Sequence, residues 1–525
     1  MMQKLPIGIQ DFRTIREEGY LYLDKTEDIF NLIRLGKIYF LSRPRRFGKT
    51  LLVSTMECLF KGERELFKGL WIEDKWDWDD VYPVVRLDMS SILIEKAEDV
   101  DTAICAELRN KAEEEKIEIT GNDRVEIFKS LIRRLRNKYQ KKIVVLIDEY
   151  DAPIISNLDD IDKAKTIRDK IRNFYRVLKS EEAGLRFIFL TGVSKFSKAG
   201  VFSALNNLQD ITIDSRFATM LGITQEEIEK YFEKHISALA QKQGISKEDT
   251  LERIRNWYNG FCFDGEAKEA SRVYNPFSTL LLFVQQAFRN YWFDSGSPKF
   301  LIDLLKQNEY DISRLDKLEA GAISFNAYEP EDLKIEALLL QTGYLTIKRH
   351  IEGEIYELGF PNKEIKECFS AYIIDAYGSL DRGESQVYVY KMRKALEQDP
   401  PDFERFMDKI KAFFAGIPYD IHDKIKAKEQ YYQTIIYAVL AMLGLEVRGE
   451  IRVSRGRIDL MFKLGRAAFI IECKLNAPAE DALKQIKEKG YMDAYSAENK
   501  LYLIGISLDT FEKNIKEYLV ETVGN

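Results

Sequence analysis

The sequence predicts an α/β protein with a doubly wound parallel sheet, then a helical middle region, then a smaller C-terminal α/β domain. Three observations lead to this prediction. In residues 1–222, short apolar runs alternate with longer amphipathic segments, as strands and helices do. Residues 223–420 carry helix start and stop signals, and strand-like apolar runs return in residues 421–525. A chain of 525 residues is also too long for a single core.

The composition is that of an ordinary globular protein, with 45% apolar and 31% charged residues. The net charge of -7 argues against a surface that coats nucleic acid generally, because phosphate contacts need local Lys and Arg. Five scattered cysteines and three histidines argue against a zinc site or a disulfide framework. There is no secretion signal and no apolar stretch of bilayer length, so we expect a cytoplasmic protein without a membrane partner.

The first domain begins with the pattern of a phosphate-binding loop. Residues 38–41 form an apolar strand that enters the segment 43–50, and an amphipathic helix follows. In such loops the backbone N–H groups and the positive end of the helix face the phosphates. Lys49 would reach the β- and γ-phosphates, and the hydroxyl of Thr50 would bind Mg²⁺.

One position departs from the usual loop. Arg43 stands where the first glycine of G-x-x-x-x-G-K-[ST] is expected. The turn must then use a negative φ or be helped by Pro44, because a residue with a side chain rarely adopts a left-handed backbone. The alternative interpretation is a basic loop in front of an ordinary amphipathic helix.

An acidic pair at the end of a second buried run favours the nucleotide interpretation. The run 143–147 predicts a parallel strand that ends in Asp148 and Glu149, at the edge where α/β sheets bind ligands. Asp148 would hold Mg²⁺, and Glu149 would polarise the attacking water. After a further strand at 185–190, Thr191 or Ser194 is the candidate for sensing the γ-phosphate. The alternative is that this residue caps the next helix.

The remaining elements are predicted from the same alternation. A strand at 82–88 and helices at about 94–117, 122–139 and 161–180 complete a P-loop NTPase sheet within residues 1–222. Residues 223–420 are predicted to be a helical lid, or a winged-helix-like and connecting region, with helices starting at Thr224 and Ser246. The aromatic residues between 257 and 263 indicate core packing rather than base stacking. Residues 276–420, which include a small hairpin, indicate no chemical role.

The C-terminal domain, residues 421–525, carries a nuclease pattern. Asp459, at the expected end of one strand, is followed thirteen residues later by Glu472 on the apolar run 467–471. Lys474 lies on the same strand face as Glu472, and Cys473 on the other, because side chains alternate along a strand. Phosphodiester cleavage needs acidic ligands for Mg²⁺ and a cation that positions or activates water. Asp459 and Glu472 are therefore predicted metal ligands and catalytic residues, and Lys474 is a predicted catalytic residue.

The spacing D-x12-E-x-K resembles the PD-(D/E)xK pattern of restriction-endonuclease-like domains. This resemblance implies a third metal ligand, Glu429, on a helix at about 424–443, with Glu450 as its competitor, and a catalytic Gln485 on the following helix. The alternative is an exposed hairpin with ordinary surface ion pairs. Residues 421–525 carry 16 basic and 15 acidic side chains, and Arg455, Arg457 and Lys487 are expected to neutralise phosphates.

Taken together, the motifs resemble a known bacterial family. The segments 22–26 (YLDKT), 43–50 (RPRRFGKT), 146–151 (LIDEYD) and 191–194 (TGVS) are similar to the AAA-ATPase-like family, whose members carry a C-terminal PD-(D/E)xK nuclease-like domain. In that family RPRRFGK is the usual loop, which implies that Arg43 is no defect. The implied cofactors are ATP and Mg²⁺, with Mn²⁺ as an alternative at the nuclease-like site. The implied nucleotide-binding residues are Arg43, Arg45, Arg46, Phe47, Gly48, Lys49, Thr50, Asp148 and Thr191.

These observations lead to three functional hypotheses. The first is an ATP-binding and ATP-hydrolysing protein coupled to metal-dependent cleavage of nucleic acid, with DNA favoured over RNA. The second is a nucleotide-gated binding or regulatory protein whose nuclease-like domain holds nucleic acid without cutting it. The third is a defence or toxin-like effector activated by a partner. A homo-oligomer and an activating protein partner both remain open, and the complete set of motif residues favours catalysis over binding alone.

Overall fold

The structure is a computed structural model of the chain. It describes residues 3–92, 94, 96–195, 205, 207–292, 301–302, 304–305, 310, 312–322, 334–377, 382–415, 429–445, 447–453, 456–465, 467–489, 491 and 500–523. The chain forms two compact units, one of Met1–Tyr291 with Glu319–Glu357 and one of Trp292–Leu318 with Leu358–Asn525. Among the described helices, none combines the length and apolarity that crossing a bilayer requires.

A parallel sheet of five strands forms the centre of the first unit. Its strands are β1 (Ile38–Ser42), β2 (Val84–Asp88), β3 (Ile143–Asp148), β4 (Leu185–Gly192) and β5 (Gln209–Asp210). Their order across the sheet is β2-β3-β4-β1-β5, and every neighbouring pair is parallel. The predicted α/β sheet is thus confirmed, with strand ends that differ from the predicted ones by one or two residues and with β5 as an additional edge strand.

Amphipathic helices surround this sheet. They are α1 (Phe12–Glu17), α2 (Thr26–Leu35), α3 (Lys49–Phe60), α4 (Asp99–Glu114), α5 (Arg124–Tyr139), α6 (Ala152–Ile155) and α7 (Ile161–Ser180). Helix α5 shows why they form at these places. It begins where the carboxylate of Asp123 accepts hydrogen bonds from two free backbone N–H groups, and its apolar positions recur at helical spacing and are buried.

The core holds the C-terminal ends of the central strands in place. Strands β1 and β3 are buried along their whole length. Apolar side chains of Leu41, Leu146 and Phe189 pack with Val53 and Met56 of α3 in one cluster. Burial of each such side chain stabilises the fold by roughly 1.5–3 kcal/mol. The loop after β1 and the acids after β3 therefore start from fixed positions.

The middle of the chain is helical, as predicted. Its helices are α8 (Gln225–Tyr231), α9 (Glu233–Gln243), α10 (Lys247–Tyr258) and α11 (Pro276–Gln285). Thr224 and Glu227 form the expected capping box at the start of α8. The single helix expected from Thr224 to about residue 244 is divided at Phe232, whose side chain is fully buried in the core between these helices. Tyr258 and Phe261 are also buried, which agrees with core packing.

Two small sheets lie among these helices. Strands β6 (Phe261–Cys262) and β7 (Arg272–Val273) pair with each other, and β8 (Leu318–Gly321), β9 (Thr346–Glu352) and β10 (Ile355–Gly359) form a sheet in the order β8-β10-β9. Helix α12 (Ile335–Thr342) precedes β9. The β9–β10 hairpin turns at Gly353, where φ is 57°. The small hairpin predicted within residues 276–420 is therefore present, and its first strand begins at Thr346.

A mixed sheet of five strands forms the centre of the second unit. Its strands are β11 (Arg448–Val453), β12 (Gly456–Leu464), β13 (Ala467–Leu475), β14 (Lys500–Asp509) and β15 (Asn514–Val523), which are neighbours in chain order. The β13–β14 pair is parallel, and the other pairs are antiparallel. The helices of this unit are α13 (Lys363–Tyr377), α14 (Arg382–Leu396), α15 (Phe403–Ala415), α16 (Glu429–Met442) and α17 (Ala479–Glu488). The sequence analysis predicted neither β14 nor β15.

Candidate functional site

The loop between β1 and α3 turns at two residues near its end. Gly48 precedes α3 with φ 89°, and Arg46 has φ 66°, whereas Arg43 keeps a negative φ as the sequence predicted. The ammonium of Lys49 donates to the carbonyl oxygens of Arg43 at 3.0 Å and Pro44 at 3.1 Å. The backbone of the predicted phosphate-binding loop therefore holds the Lys49 ammonium in place.

The Lys49 ammonium is buried close to three carboxylates. Burial lowers the pKa of Lys49, and the negative charges of Glu149, Asp151 and Asp148 act in the opposite direction. An ammonium in such a position is stabilised by added negative charge. This is the environment that a phosphate-binding lysine needs.

The guanidinium of Arg43 is bound by the protein's own backbone. It donates to the carbonyl oxygens of Ser42 at 2.9 Å, Thr212 at 2.6 Å and Phe217 at 3.3 Å, and it lies 4.1 Å from the ring centre of Phe263. Burial lowers the pKa of Arg43 to about 9. The side chain thus fastens the loop to the segment after β5, and its predicted contact with nucleotide stays a prediction.

The Phe47 side chain belongs to the core. Its ring lies 4.9 Å from that of Phe261 and 5.2 Å from that of Phe263, both in edge-to-face geometry. This packing fixes the position of the loop backbone at Phe47. The buried ring itself has little freedom to contact a ligand.

The other predicted loop residues are accessible. Arg45 and Arg46 are exposed, and the guanidinium of Arg46 lies 3.9 Å from the ring centre of Phe277 in the first turn of α11. Thr50, the second residue of α3, is half-buried. These three side chains can therefore reach a ligand in the loop without breaking a contact in the core.

Asp148 is the last residue of β3, and only one of its two carboxylate oxygens accepts hydrogen bonds. Its Oδ1 accepts hydrogen bonds from the hydroxyl of Thr191 at 2.5 Å and from the backbone N–H of Glu149 at 3.1 Å. Its Oδ2 is buried and has no hydrogen-bond partner among the described residues. A buried carboxylate oxygen without a partner costs free energy unless a cation or donor compensates it.

Glu149 and the two sensor candidates have separate surroundings. Glu149 has a positive φ of 48°, and burial followed by the charge of Asp148 raises its pKa, while Lys49 opposes the rise. Of the two candidates, Thr191 bonds to Asp148, whereas the hydroxyl of Ser194 donates to Asp151 at 2.6 Å. The geometry therefore favours Thr191 as the residue next to the acidic pair.

Gly192, the last residue of β4, lies against both the loop after β1 and the residues that follow the acidic pair. Its carbonyl oxygen accepts the backbone N–H of Arg43 at 3.1 Å. A Cβ at this position would lie 2.6 Å from the carboxylate of Asp151 and 2.6 Å from the ring of Tyr150. Only glycine allows β4 to approach both groups so closely.

An apolar pocket that the sequence analysis missed opens beside Gly48. Its lining includes Tyr22, Leu23, Leu51, Leu221, Ile223 and Pro276. The segment 22–26 was noted as a motif without a role, and it forms part of this wall. Lys25, also in the wall, donates to the carboxylate of Glu227 at 2.9 Å and to the carbonyl of Thr219 at 3.0 Å. The motif thus connects the pocket to the start of α8.

In the second unit, Asp459 and Glu472 lie on neighbouring strands. The register in which Leu460 faces Ile471 brings Asp459 next to Glu472. Asp459 is the fourth residue of the nine-residue strand β12, so the prediction that it ends a strand is wrong, because β12 continues in pairing with β13 to Leu464. The carboxylate of Asp459 accepts the backbone N–H of Cys473 at 2.8 Å.

Glu472 is almost completely buried and makes polar contacts on one oxygen. Its Oε1 accepts from the amide of Gln485 and from the ammonium of Lys474 at 3.4 Å. Its Oε2 has no partner among the described residues. Burial, followed by the charge of Asp459, raises the pKa of Glu472 to about 8. The predicted residues Glu472, Lys474 and Gln485 are therefore in contact.

Glu429 reaches the end of the same strand. It is the first residue of α16, and its carboxylate accepts the backbone N–H of Leu475 at 3.2 Å and the amide of Gln433 at 3.2 Å. The described part of the chain contains no group of three or more His, Cys, Asp or Glu side chains arranged to hold a metal. A metal role for Glu429 accordingly stays a prediction.

Of the three basic residues expected to neutralise phosphates, Lys487 is the one whose side chain the structure describes. Arg455 lies outside the described residues, as do the side chains of Glu450 and Arg457. The ammonium of Lys487 pairs with the carboxylate of Glu521 at 2.6 Å, and both side chains are largely exposed. Such a surface pair is weak and can be exchanged for a phosphate.

Both acidic groups fit a divalent cation. Mg²⁺ prefers hard oxygen ligands, and Asp148 and Glu472 each offer a buried carboxylate oxygen without a partner among the described residues. Thr50 could add a hydroxyl at the first site, and Asp459 a second carboxylate at the other. The residue types therefore suit Mg²⁺, or Mn²⁺, at each place.

Comparison with known proteins gives two matches to families and one to a whole chain. Residues 6–202 match the family described as predicted AAA-ATPase, and residues 427–518 match the PD-(D/E)XK nuclease superfamily. The chain is also similar to an uncharacterized protein encoded in the vnfD 5' region of Azotobacter chroococcum mcd 1, with 38% identity over 535 residues and 99% of each chain covered. The two matched regions contain the loop with its acidic pair and the Asp459–Glu472–Lys474 group.

Proposed function

Because this chain belongs to the family of predicted AAA-ATPases that carry a PD-(D/E)XK nuclease domain, we propose that it binds and hydrolyses ATP and cleaves nucleic acid with a divalent metal. The first domain would use nucleotide to control the second. The substrate would be DNA rather than RNA. The observation that carries the proposal is a pair of buried carboxylate oxygens, Asp148 Oδ2 and Glu472 Oε2. Neither has a hydrogen-bond partner among the described residues, and each carboxylate lies close to the lysine of its motif.

At the nucleotide site, the loop residues bind and orient the phosphates. Lys49 would exchange its two carbonyl contacts for phosphate oxygens, which carry full negative charge and are stronger acceptors. The free N–H groups at the start of α3 would add to this attraction. Arg45 and Arg46, which are exposed, could neutralise the remaining phosphate charge. Mg²⁺ would be held by Thr50 and Asp148 and would neutralise charge on the β- and γ-phosphates.

Glu149 would act on water and Thr191 would position Asp148. A carboxylate that is partly buried with a raised pKa is a better proton acceptor than an exposed one. Thr191 fixes the orientation of the Asp148 carboxylate by its hydrogen bond to Oδ1, which leaves Oδ2 directed elsewhere. The pocket formed by Tyr22, Leu51 and Ile223 next to Gly48 has the apolar lining that a purine base needs.

At the nuclease site, the chain's own residues hold the reacting phosphate. Lys474 would place its ammonium against the phosphodiester or the attacking water, and Gln485 would keep the Glu472 carboxylate in its present rotamer. Asp459 is locked by the Cys473 N–H. A metal bound by Asp459 and Glu472 would supply the charge that stabilises the pentavalent transition state.

Direct measurements on the purified full-length chain test this proposal. Phosphate release from ATP and cutting of labelled DNA and RNA are followed with Mg²⁺, with Mn²⁺ and with chelator. Calorimetric titration of Mn²⁺ gives a readout independent of activity, and Asp148→Asn and Asp459→Asn should each remove one site. If the wild-type chain neither binds nor hydrolyses any nucleoside triphosphate, the nucleotide half is wrong. If it cuts no nucleic acid under any condition, the nuclease half is wrong.

A second candidate function is nucleotide-gated binding of nucleic acid without cleavage. The observation that favours it is the state of Glu472, whose contacts with Lys474 and Gln485 and whose pKa of about 8 suit a neutralised, structural carboxyl. A chain of this kind would hold nucleic acid in the wild type and in Glu472→Gln with equal affinity, and would show no cleavage in either.

A further inference from the structure

The turn between β14 and β15 displays an unusual side chain. Phe511 is 93% exposed, more than any other large apolar side chain in the described part of the protein. Its neighbours in the turn are the polar residues Asp509, Thr510, Glu512 and Lys513. An exposed phenylalanine loses the favourable free energy of burial, and its position at the tip leaves the ring surrounded by solvent.

The turn is rigid although its tip is exposed. The carboxylate of Asp509 accepts the backbone N–H of Phe511 at 2.7 Å and that of Glu512 at 2.9 Å. Asn476 and Thr510 exchange two hydrogen bonds, each of 3.0 Å, so the turn is tied to the end of β13. The backbone of Phe511 is therefore held at a defined place, and its ring extends from there into solvent.

That place lies at the same edge of the sheet as the nuclease group. Strand β13 ends at Leu475, and its register pairs Lys474 with Ser507 of β14. Asn476 follows Lys474 by two residues, so the two Cα atoms are at most about 7 Å apart, and Asn476 is hydrogen-bonded directly to Thr510. The contact between Asn476 and Thr510 and the further residue to Phe511 add to this distance, so the backbone of Phe511 lies on the order of 15 Å from that of Lys474, a span of a few nucleotides.

We propose that Phe511 stacks on a base of the nucleic-acid strand held at this site, and that the site therefore takes single-stranded or frayed nucleic acid. This inference rests on the proposed nuclease function. A free base offers its π-face to an aromatic ring whatever its sequence, whereas the bases of an intact duplex are already stacked. Because hydrogen bonds already hold the backbone of the turn, stacking has to order only the two side-chain torsions of Phe511.

The surroundings of Phe511 favour a base over a protein or a membrane. A protein interface needs a broad apolar patch, and the turn supplies one aromatic ring among Asp, Thr, Glu and Lys side chains. The two carboxylates of the turn repel phosphate, so the contribution of this turn is expected from stacking on a base and not from charge.

The test uses full-length Asp459→Asn as a background, so that binding is measured without cutting. Affinities for a fluorescent single strand, the matching blunt duplex and a strand with several adjacent abasic sites are compared. Phe511→Ala should weaken binding to the normal single strand about ten-fold or more, and should leave the abasic strand and duplex unchanged. Phe511→Trp should keep wild-type affinity. Phe511→Leu, which retains apolar area but has no π-face, should resemble Phe511→Ala, and Glu512→Ala in the same turn is the matched control.

Each outcome decides between the inference and the function on which it rests. If Phe511→Ala binds the single strand as tightly as the chain with Phe511, and cleavage is intact in otherwise wild-type protein, the inference is overturned and the nuclease function stands. An equal loss on the normal and abasic strands, or full affinity in Phe511→Leu, also overturns it, since stacking is then not involved. If the wild-type chain binds no nucleic acid, the proposed function fails and this inference fails with it.

Discussion

The two candidate sites contain the same kinds of group, but their lysines are held differently. At the nucleotide site, Lys49 donates to the carbonyl oxygens of its own loop, and the Asp148 carboxylate is oriented by a neutral hydroxyl. At the nuclease site, Lys474 donates to the Glu472 carboxylate itself, and Gln485 donates to the same oxygen. The first lysine is thus available to an incoming anion, whereas the second already contacts a carboxyl group whose pKa is raised by burial to about 8.

This difference predicts different costs of ligand binding. Lys49 exchanges contacts with neutral carbonyls for contacts with charged phosphate oxygens, which is favourable. Lys474 would have to give up its contact with the buried Glu472 carboxyl group, a hydrogen bond of a type that contributes about 0.5–1.5 kcal/mol, unless a metal takes its place beside Glu472. We therefore expect the loop around Lys49 to be prepared for a nucleotide, and the site around Glu472 to need metal and phosphate together.

The largest effect is expected at the nuclease site. Asp459→Asn, Glu472→Gln and Lys474→Ala should each reduce metal-dependent cleavage by roughly 10³-fold or more, because metal ligands and the lysine act as one unit. A labelled substrate and a gel assay measure this. Cys473→Ser, whose side chain is buried on the other strand face, should keep most activity and is the matched control. Equal residual cleavage in Asp459→Asn and wild type would trace the activity to a contaminant.

The next effect separates binding from hydrolysis at the nucleotide site. Glu149→Gln should slow ATP hydrolysis by roughly 10²-fold and leave ATP affinity near wild type, because it removes only the group that orients water. Lys49→Ala should weaken ATP binding itself, since it removes the buried ammonium. Phosphate release and titration with a fluorescent nucleotide measure the two quantities. Identical behaviour of both variants would contradict the separate roles.

A smaller effect should connect the two sites. If ATP controls the nuclease domain, Glu149→Gln trapped with ATP should differ from Lys49→Ala in nucleic-acid affinity by roughly five- to 150-fold, the usual range for coupled sites. Nucleic acid must then change ATP affinity by the same factor. Equal affinity and equal cutting with ATP, with ADP and without nucleotide would show two sites that are only tethered.

The smallest effects are expected on stability, when the polar partner of Asp148 or of Glu472 is replaced. Thr191→Val removes a hydrogen bond to a fully buried carboxylate and should lower the free energy of unfolding of its unit by about 1–3 kcal/mol. Gln485→Leu should lower it by less than about 1 kcal/mol, because Lys474 still contacts the same oxygen of Glu472. Denaturant unfolding measures both changes, and a larger loss in Gln485→Leu would reverse the comparison of the sites.

The elements that the sequence predicted are those with a strong local pattern. Apolar runs predicted β1 to β4 of the first sheet and the Ala467–Leu475 strand, and helical spacing predicted α4, α5 and α7. Strand β5 has only two residues and pairs at an edge, so no local pattern marks it. Strand β15 is mostly exposed and lacks an apolar alternation. Strand β14 is different, because its continuous apolar run was a usable signal that the prediction did not include.

The site residues divide in a similar way. The sequence predicted that Lys49, Asp148 and Glu149 would meet, since strand ends of a parallel sheet share one edge, and the structure brings them together. It could not predict that the acceptors of the Arg43 guanidinium are the carbonyl oxygens of Thr212 and Phe217, because those contacts depend on packing distant in the chain. The apolar pocket beside Gly48 combines segments from four parts of the sequence, so it could not be predicted for the same reason.

The surroundings of Gly192 limit which residues can occupy this position. The carbonyl of Gly192 holds the phosphate loop, and the space where a side chain would start is already filled by Asp151 and Tyr150. Most surface positions of the chain can drift through many amino acids over generations, but any replacement here would push β4 away from its neighbours and separate the loop from the acids. A substitution at Gly192 would therefore need compensating changes both in the loop and around Asp151, which restricts this position to glycine.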